Sequence, residues 1–146
     1  MKSILSIHPQ ELISRYSLGE RNFQNINISD SILSWADLSH IDLSEANLSI
    51  CIIEGTCLTQ AKLCGANFSR SSMTAATLTF ADLSFACLYK CGLRGSNRTG
   101  ANLSCADLRG ANLTGANLDR ADLTGAKIEK TSFRNVDLSS AHFDRL

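Results

Sequence analysis

The chain carries a large apolar residue at every fifth position from Phe23 to Phe143, and Arg98 is the single exception. A period of five matches neither the period of about 3.6 residues of a helix nor the period of about 2 of a flat strand. The pattern therefore indicates a tandem repeat of a short unit.

Each unit has the same internal order. A small residue, most often alanine, stands two positions before the apolar centre, Asn or Asp commonly stands directly before it, and Ser or Thr commonly follows it. Two inward side chains two residues apart indicate a short extended segment, and the polar residues after it favour a turn. No single unit can bury its own apolar face, so the pattern predicts a parallel β-solenoid.

Units such as ADLSH, ANLSI, ANFSR, ADLRG and ANLTG resemble the pentapeptide-repeat family, whose consensus is A(D/N)LXX, over residues 21–145. The resemblance implies an all-β fold, a right-handed quadrilateral parallel β-helix in which four pentapeptides form one coil. About six coils stacked at the inter-strand spacing would make a rod roughly 30 Å long. Residues twenty apart then stack inside it, and the structural core is expected to include Leu43, Leu63, Leu83, Leu103 and Leu123.

The first twenty residues depart from the repeat. Pro9 suits the first turn of a helix, Glu11 suits its positive end, and Gly19 suits its C-terminal cap. We expect a short helix over residues 9–18, similar to the helical caps of cyanobacterial pentapeptide-repeat proteins. The predicted organisation is one structural domain, with a helical cap at 1–20 and a β-helix at 21–146.

Arg98 interrupts the apolar column. Burying an unpaired guanidinium among aliphatic side chains costs several kcal/mol, by order of magnitude. We therefore expect Ser96–Thr99 to bulge and to turn Arg98 towards solvent, while the register resumes at Ala101. The sequence leaves open whether this break is a decayed repeat or a binding loop.

The sequence offers little material for catalysis or metal binding. No two of the six cysteines are twenty residues apart, there is no CxxC pair, and the three histidines are scattered. A filled prism also lacks the concave pocket that an active site needs. We expect no enzymatic activity, no catalytic residue, no metal and no cofactor, and reduced thiols in a cytoplasmic protein with no membrane segment.

The candidate functional site is an interaction surface. Aromatic and basic residues, the composition of an interface anchor, cluster in sequence just before and at the Arg98 break. The candidate residues are Phe80, Phe85, Tyr89, Lys90, Arg94 and Arg98.

These observations favour a non-enzymatic structural or protein-interaction module with an unknown protein partner. The alternative is a DNA mimic that binds DNA gyrase or another DNA-binding protein, as the quinolone-resistance pentapeptide proteins do. Fourteen basic residues balance fourteen acidic ones, so nucleic acid is not an expected partner. The sequence also suggests a homodimer formed through an uncapped C-terminal end.

Overall fold

The structure, a computed structural model, describes residues 5–144. These residues form a right-handed quadrilateral β-helix preceded by a short helix, as the repeat and the family resemblance predict. Residues twenty apart are joined by parallel bridges, beginning with Asn22 and Asp42 and ending with Asp122 and His142. Six such steps connect Asn22 to His142, which agrees with the predicted number of coils.

The four faces of the rod are defined by their bridged residues, whose side chains point outward. Face 1 carries Asn22, Asp42, Lys62, Asp82, Asn102, Asp122 and His142; face 2 carries Asn27, Asn47, Asn67, Cys87, Asp107 and Lys127; face 3 carries Ile32, Ile52, Ser72, Gly92, Asn112 and Ser132; face 4 carries Asp37, Cys57, Thr77, Asn97 and Asn117. Corners are named by the two faces they join, so that corner 2/3 lies between face 2 and face 3.

The apolar centres of the repeats fill the interior. Leu43, Leu63, Leu83 and Leu103 are completely buried, and Leu123 is 1% exposed. Removing one such side chain from water stabilises the fold by about 1.5–3 kcal/mol. The stacked columns therefore supply most of the driving force for folding.

The Asn or Asp before each centre has a local role. The Oδ1 atom of Asn47 accepts a hydrogen bond from the backbone N–H of Ser49 at 3.0 Å, and Asp82 accepts one from Ser84 at 3.0 Å. Such side chain-to-backbone bonds stabilise turns, so they direct the chain around each corner.

The N-terminal segment covers the first coil. A strand β1, Leu5–Ser6, pairs in parallel with β2, Ile26–Asn27, and the helix α1 spans Pro9–Ser17. The predicted helix over 9–18 is confirmed to within one residue. The cap and rod boundaries predicted at 1–20 and 21–146 extend into residues 1–4 and 145–146, which lie outside the described residues.

Two contacts hold α1 on the rod. Leu12 is completely buried, and the hydroxyl of Tyr16 donates a hydrogen bond to the carbonyl of Ser39 at 2.8 Å. His8 caps the N-terminus of the helix, because its Nδ1 accepts a hydrogen bond from the N–H of Gln10, and Pro9 is the first helical residue. Neither α1 nor any other stretch of residues 5–144 forms a helix with the length and hydropathy of a membrane span.

Candidate interaction site

Each corner exposes one residue in the left-handed region of backbone space. The carbonyl of the apolar centre accepts a hydrogen bond from the N–H three residues later, as Leu33 does from Ala36 at 3.4 Å, and Trp35 between them has φ of 64°. This turn requires a positive φ at its third residue. Phe80 and Phe85 occupy the same corner position, with φ of 57° and 59°. Corners therefore project side chains into solvent on a rigid backbone.

One corner gathers positive charge around an aromatic ring. On corner 2/3, Arg70, Lys90 and Arg109 place their charged groups 5.9, 5.3 and 5.8 Å from the ring centroid of Tyr89. These distances lie within the range of cation–π attraction. Lys130 and Gly110 help to line a groove of about 450 Å³ beside them. We call Arg70, Tyr89, Lys90, Arg109 and Lys130 the basic corner.

Two carboxylates moderate this charge. Asp107 on face 2 accepts two hydrogen bonds from the guanidinium of Arg109, at 2.9 and 2.8 Å, and these bonds lower the pKa of Asp107. Glu129 also lines the groove. Arg70, Lys90 and Lys130 are exposed, and within the described chain none of them has a salt-bridge partner. The corner therefore keeps a net positive charge that an acidic ligand can meet.

The other predicted surface residues do not join the basic corner. Phe80 lies on corner 4/1, Phe85 on corner 1/2 and Arg94 on corner 3/4, all in the turns of about one coil. Phe80 and Phe85 are 57% and 66% exposed. The sequence spacing of five brings these side chains to successive corners. The candidate residues therefore encircle the rod, and only Tyr89 and Lys90 share a corner.

Arg98 is not a surface residue, and the prediction that it turns to solvent is wrong. Its side chain is completely buried, and Ser96 is 1% exposed. The ladder is unbroken at this level, since the N–H of Arg98 donates to the carbonyl of Asn117 at 2.8 Å. Asn97 also makes the usual turn bond, accepting from the N–H of Thr99 at 3.1 Å. No bulge forms because the backbone bonds of this repeat match those of its neighbours.

Inside the rod, few hydrogen bonds compensate for the burial of the Arg98 guanidinium. Its Nη1 donates to the hydroxyl of Ser96, which itself donates to the carbonyl of Leu93 at 2.6 Å. Nε and Nη2 have no hydrogen-bond partner among residues 5–144. Burial lowers the pKa of Arg98 to about 10, so the guanidinium remains charged at neutral pH. Burial also raises the pKa of the neighbouring Cys91 to about 12, although Arg98 acts in the opposite direction.

Sequence reasoning missed an apolar region near the N-terminal end. Trp35, Ile32, Ile50 and Ile52 are 77%, 67%, 57% and 43% exposed, and all lie on face 3 or its two corners. A groove of about 630 Å³ between α1 and Trp35 adjoins them. The signal was present in the sequence, because Ile32 and Ile52 are twenty residues apart at a position that usually holds Asn or Asp.

Within residues 5–144 no group of three or more His, Cys, Asp or Glu side chains has the geometry to hold a metal ion. All six cysteines are present as free thiols, two of them buried. Cys51 and Cys91 lie in the interior, whereas Cys87 points outward from face 2.

The geometry defines a solenoid of the quadrilateral β-helix class that displays side chains from flat faces and rigid corners. The sequence matches the family model for pentapeptide repeats in 8 copies, over residues 22–60, 31–70, 56–95 and 99–144. The chain belongs to the pentapeptide-repeat family. The matches stop before Ser96 and resume after Arg98, although the backbone continues the repeat through this point.

Similar solved structures include Rfr23, a pentapeptide repeat protein of the cyanobacterium Cyanothece 51142. It is 26% identical, the alignment covers 92% of this chain and 99% of that one, and the TM-score is 0.58. A pentapeptide repeat protein of the Arabidopsis thaliana thylakoid lumen is 33% identical over 66% of this chain and 68% of its own, with a TM-score of 0.40.

QnrB1, a plasmid-mediated fluoroquinolone resistance protein, is 21% identical over 96% of this chain and 83% of its own, with a TM-score of 0.37. The search of curated proteins gives no match.

Proposed function

We propose that this protein is a non-enzymatic interaction module that binds an acidic segment of a partner protein at the basic corner. The observation that carries the proposal is the placement of three cationic groups within 6 Å of the Tyr89 ring centroid on one exposed corner. Aromatic and arginine side chains are the residue types that dominate binding energy in protein interfaces. The rod holds them on a rigid backbone, so the entropy cost of binding is confined largely to the side chains.

The chemistry of the site selects the class of partner. Carboxylates can pair with Arg70, Lys90 and Lys130, while an aliphatic stem or a methyl group can rest on Tyr89. The partner segment is therefore expected to be rich in Asp and Glu, with small apolar residues between them. Binding at the basic corner depends on ionic strength, because exposed charges are screened by salt.

Fluorescence anisotropy with a short labelled peptide of alternating Glu and Ala tests the site. We expect saturable binding that weakens with added salt, and a loss of about tenfold or more in affinity for Tyr89→Ala or Lys90→Glu. Phe85→Ser on corner 1/2 and Lys62→Glu on face 1 are the controls and should bind as the original protein does. Equal loss in the control variants, or no binding by the original protein, would contradict the proposal.

A pull-down from the native host extends the test to the physiological partner. The captured proteins should diminish with Tyr89→Ala and persist with Phe80→Ser and Phe85→Ser, because these phenylalanines lie on other corners. Fractionation of the same cells tests the expected cytoplasmic location, which six unpaired thiols support.

The alternative function, mimicry of DNA towards gyrase, finds little support in the charges. A duplex of about 30 Å carries roughly eighteen phosphates. Face 1 has Asp42, Asp82 and Asp122, but Lys62 interrupts that column. We expect no inhibition of gyrase supercoiling at micromolar protein, and clear inhibition would reverse the order of the two hypotheses.

End-to-end dimerisation, suggested by the sequence, remains a separate proposal. Phe133, Leu138 and Phe143 are only partly buried, and the rings of Phe133 and Phe143 meet edge to face with centroids 6.4 Å apart. A partner covering this end would remove the remaining apolar surface from water. Phe143→Asp should then abolish any dimer that depends on this end.

A further inference from the structure

Face 3 differs from the other three faces in its outward residues. Its described bridged column contains no charged residue, whereas face 1, face 2 and face 4 each include at least one Asp. The column begins with Ile32 and Ile52 and continues with Ser72, Gly92, Asn112 and Ser132. The column itself therefore carries no charge, although the carboxylate of Glu54 on corner 3/4 accepts a hydrogen bond from the hydroxyl of Ser72 at 2.9 Å. The column is apolar at the N-terminal end and has small side chains at the other.

The apolar end of face 3 is well exposed. Ile32 and Ile52 are bridged neighbours, Trp35 stands on corner 3/4 and Ile50 on corner 2/3, so that four apolar side chains border one area. Ile50 is a β-branched residue with φ of 58°, a conformation that is unfavourable for such side chains. Contiguous apolar surface of this kind marks an interaction site in soluble proteins.

The flat end of face 3 complements the apolar end in shape. Ser72, Gly92, Asn112 and Ser132 present small side chains, and corner 3/4 continues with Ala75, Gly95 and Gly115. A bulky ring such as that of Trp35 can lie against this column of small side chains, with Arg94 and Arg134 beside it on corner 3/4.

The flanking charges of face 3 are also complementary. Asp30 and Glu54 flank the apolar end, and both are exposed. The flat end is flanked by the exposed basic residues Arg94, Lys130 and Arg134 and by an exposed acid, Glu129, so its flanks are net positive. Two copies placed antiparallel, face 3 against face 3, bring acids to bases at both ends, whereas a parallel pair would bring like charges together.

We propose that face 3 is a self-association surface on which a second copy of this chain packs antiparallel. Trp35, Ile32 and Ile52 of each copy then cover the flat end of the other. The contact is isologous, because both copies use the same surface. This interface follows neither from the peptide-binding function proposed above nor from end-to-end pairing, although Lys130 of the basic corner lies beside face 3.

Sedimentation and light scattering across a concentration series test the proposal. We expect a monomer–dimer equilibrium with a dissociation constant in roughly the micromolar range, which suits an interface of modest size. Ile52→Lys places an ammonium group in the contact and should raise that constant by about thirtyfold or more. The matched control is Thr77→Lys on face 4, which adds the same charge to an outward position and should leave the dimer intact.

A second variant tests the orientation. Asp30→Asn combined with Glu54→Gln removes the acidic flank without changing side-chain size. Antiparallel packing predicts that this variant dimerises several-fold more weakly and with less dependence on salt. A stronger dimer would indicate parallel packing and overturn the proposal.

Three other results would overturn it as well. These are a monomer at all concentrations, a dimer equally sensitive to Thr77→Lys, and a dimer that Phe143→Asp abolishes while Ile52→Lys leaves it unchanged. Circular dichroism and thermal melting of every variant separate a lost contact from a lost fold.

Discussion

The interior columns behind face 1 and face 4 differ in one residue at the same height of the rod. Behind face 1, Leu83 and Leu103 follow each other, whereas behind face 4 Leu78 is followed by Arg98. The backbone hydrogen bonds are the same in both columns. The N–H of Leu83 donates to Asn102 at 2.7 Å, and the N–H of Leu78 donates to Asn97 at 2.7 Å. The ladder and the turn bonds determine the path of the chain, and the central side chain follows that path inward even when it is charged.

The largest expected effect comes from placing a second guanidinium in the interior column behind face 1, which is apolar throughout. Leu103→Arg should lower the free energy of unfolding by about 4 kcal/mol, since residue 101 is alanine and offers no hydroxyl to the new side chain. Adding Ala101→Ser to this variant should recover about 1 kcal/mol. Guanidinium denaturation of the two variants measures the difference, and an undestabilised Leu103→Arg would refute this explanation.

The reverse change should stabilise the protein. Arg98→Leu restores the column and removes a buried charge with two unpaired nitrogen atoms, so the free energy of unfolding should rise by about 2 kcal/mol. Thermal melting of Arg98→Leu and of the original protein shows whether the variant is more stable. A fall in melting temperature would mean that Arg98 makes a favourable interaction that its buried position conceals.

A smaller loss is expected when Arg98 keeps its place but loses its partner. Ser96→Ala removes the hydroxyl that accepts from Nη1, and the free energy of unfolding should fall by about 1.5 kcal/mol. The same change in an Arg98→Leu background should have less effect, because only the bond to Leu93 is then lost. Equal effects in both backgrounds would exclude a coupling between the two side chains.

The smallest effect concerns pH. Burial raises the pKa of Cys91 from 9.0 to about 12, so the unfolded chain loses this proton at a lower pH than the folded one. Stability from this group is complete below the unfolded pKa and falls as pH rises above it. Between about pH 8 and about pH 10 the loss should be about 1 kcal/mol, and Cys91→Ala should remove that share of the pH dependence. Denaturation curves at both pH values provide the check, and an unchanged slope in Cys91→Ala would contradict it.

The repeat predicted a parallel β-solenoid and its interior leucines, because a single unit of five residues cannot bury its own apolar face. The quadrilateral shape was implied by the family resemblance, and the helical cap was predicted from Pro9, Glu11 and Gly19. The prediction that Arg98 turns to solvent was wrong, because it considered only the cost of burying an unpaired guanidinium. Ser96, Asn97, Thr99 and Gly100 are all typical of their positions in the repeat, so the local backbone signals favoured an undisturbed coil.

The surface was harder to predict. Phe80, Phe85 and Tyr89 are close in sequence, but a spacing of about five carries each to the next corner. The relevant neighbours lie in adjacent coils, such as Ile32 and Ile52, which are twenty residues apart, and Lys90 and Arg109, which are nineteen apart. Reading the outward positions by columns would have revealed face 3 and the basic corner.

The Trp35 and Phe80 side chains at the corners lie over the corner residue of the following coil. A Cβ atom at residue 100 would lie 2.5 Å from Cε1 of Phe80, and one at residue 55 would lie 2.3 Å from the Trp35 ring. The rings of Phe80 and Trp35 thus each depend on a glycine in the following coil. Moving either ring to another coil therefore requires a glycine twenty residues after the new position, because any Cβ atom there would overlap the ring.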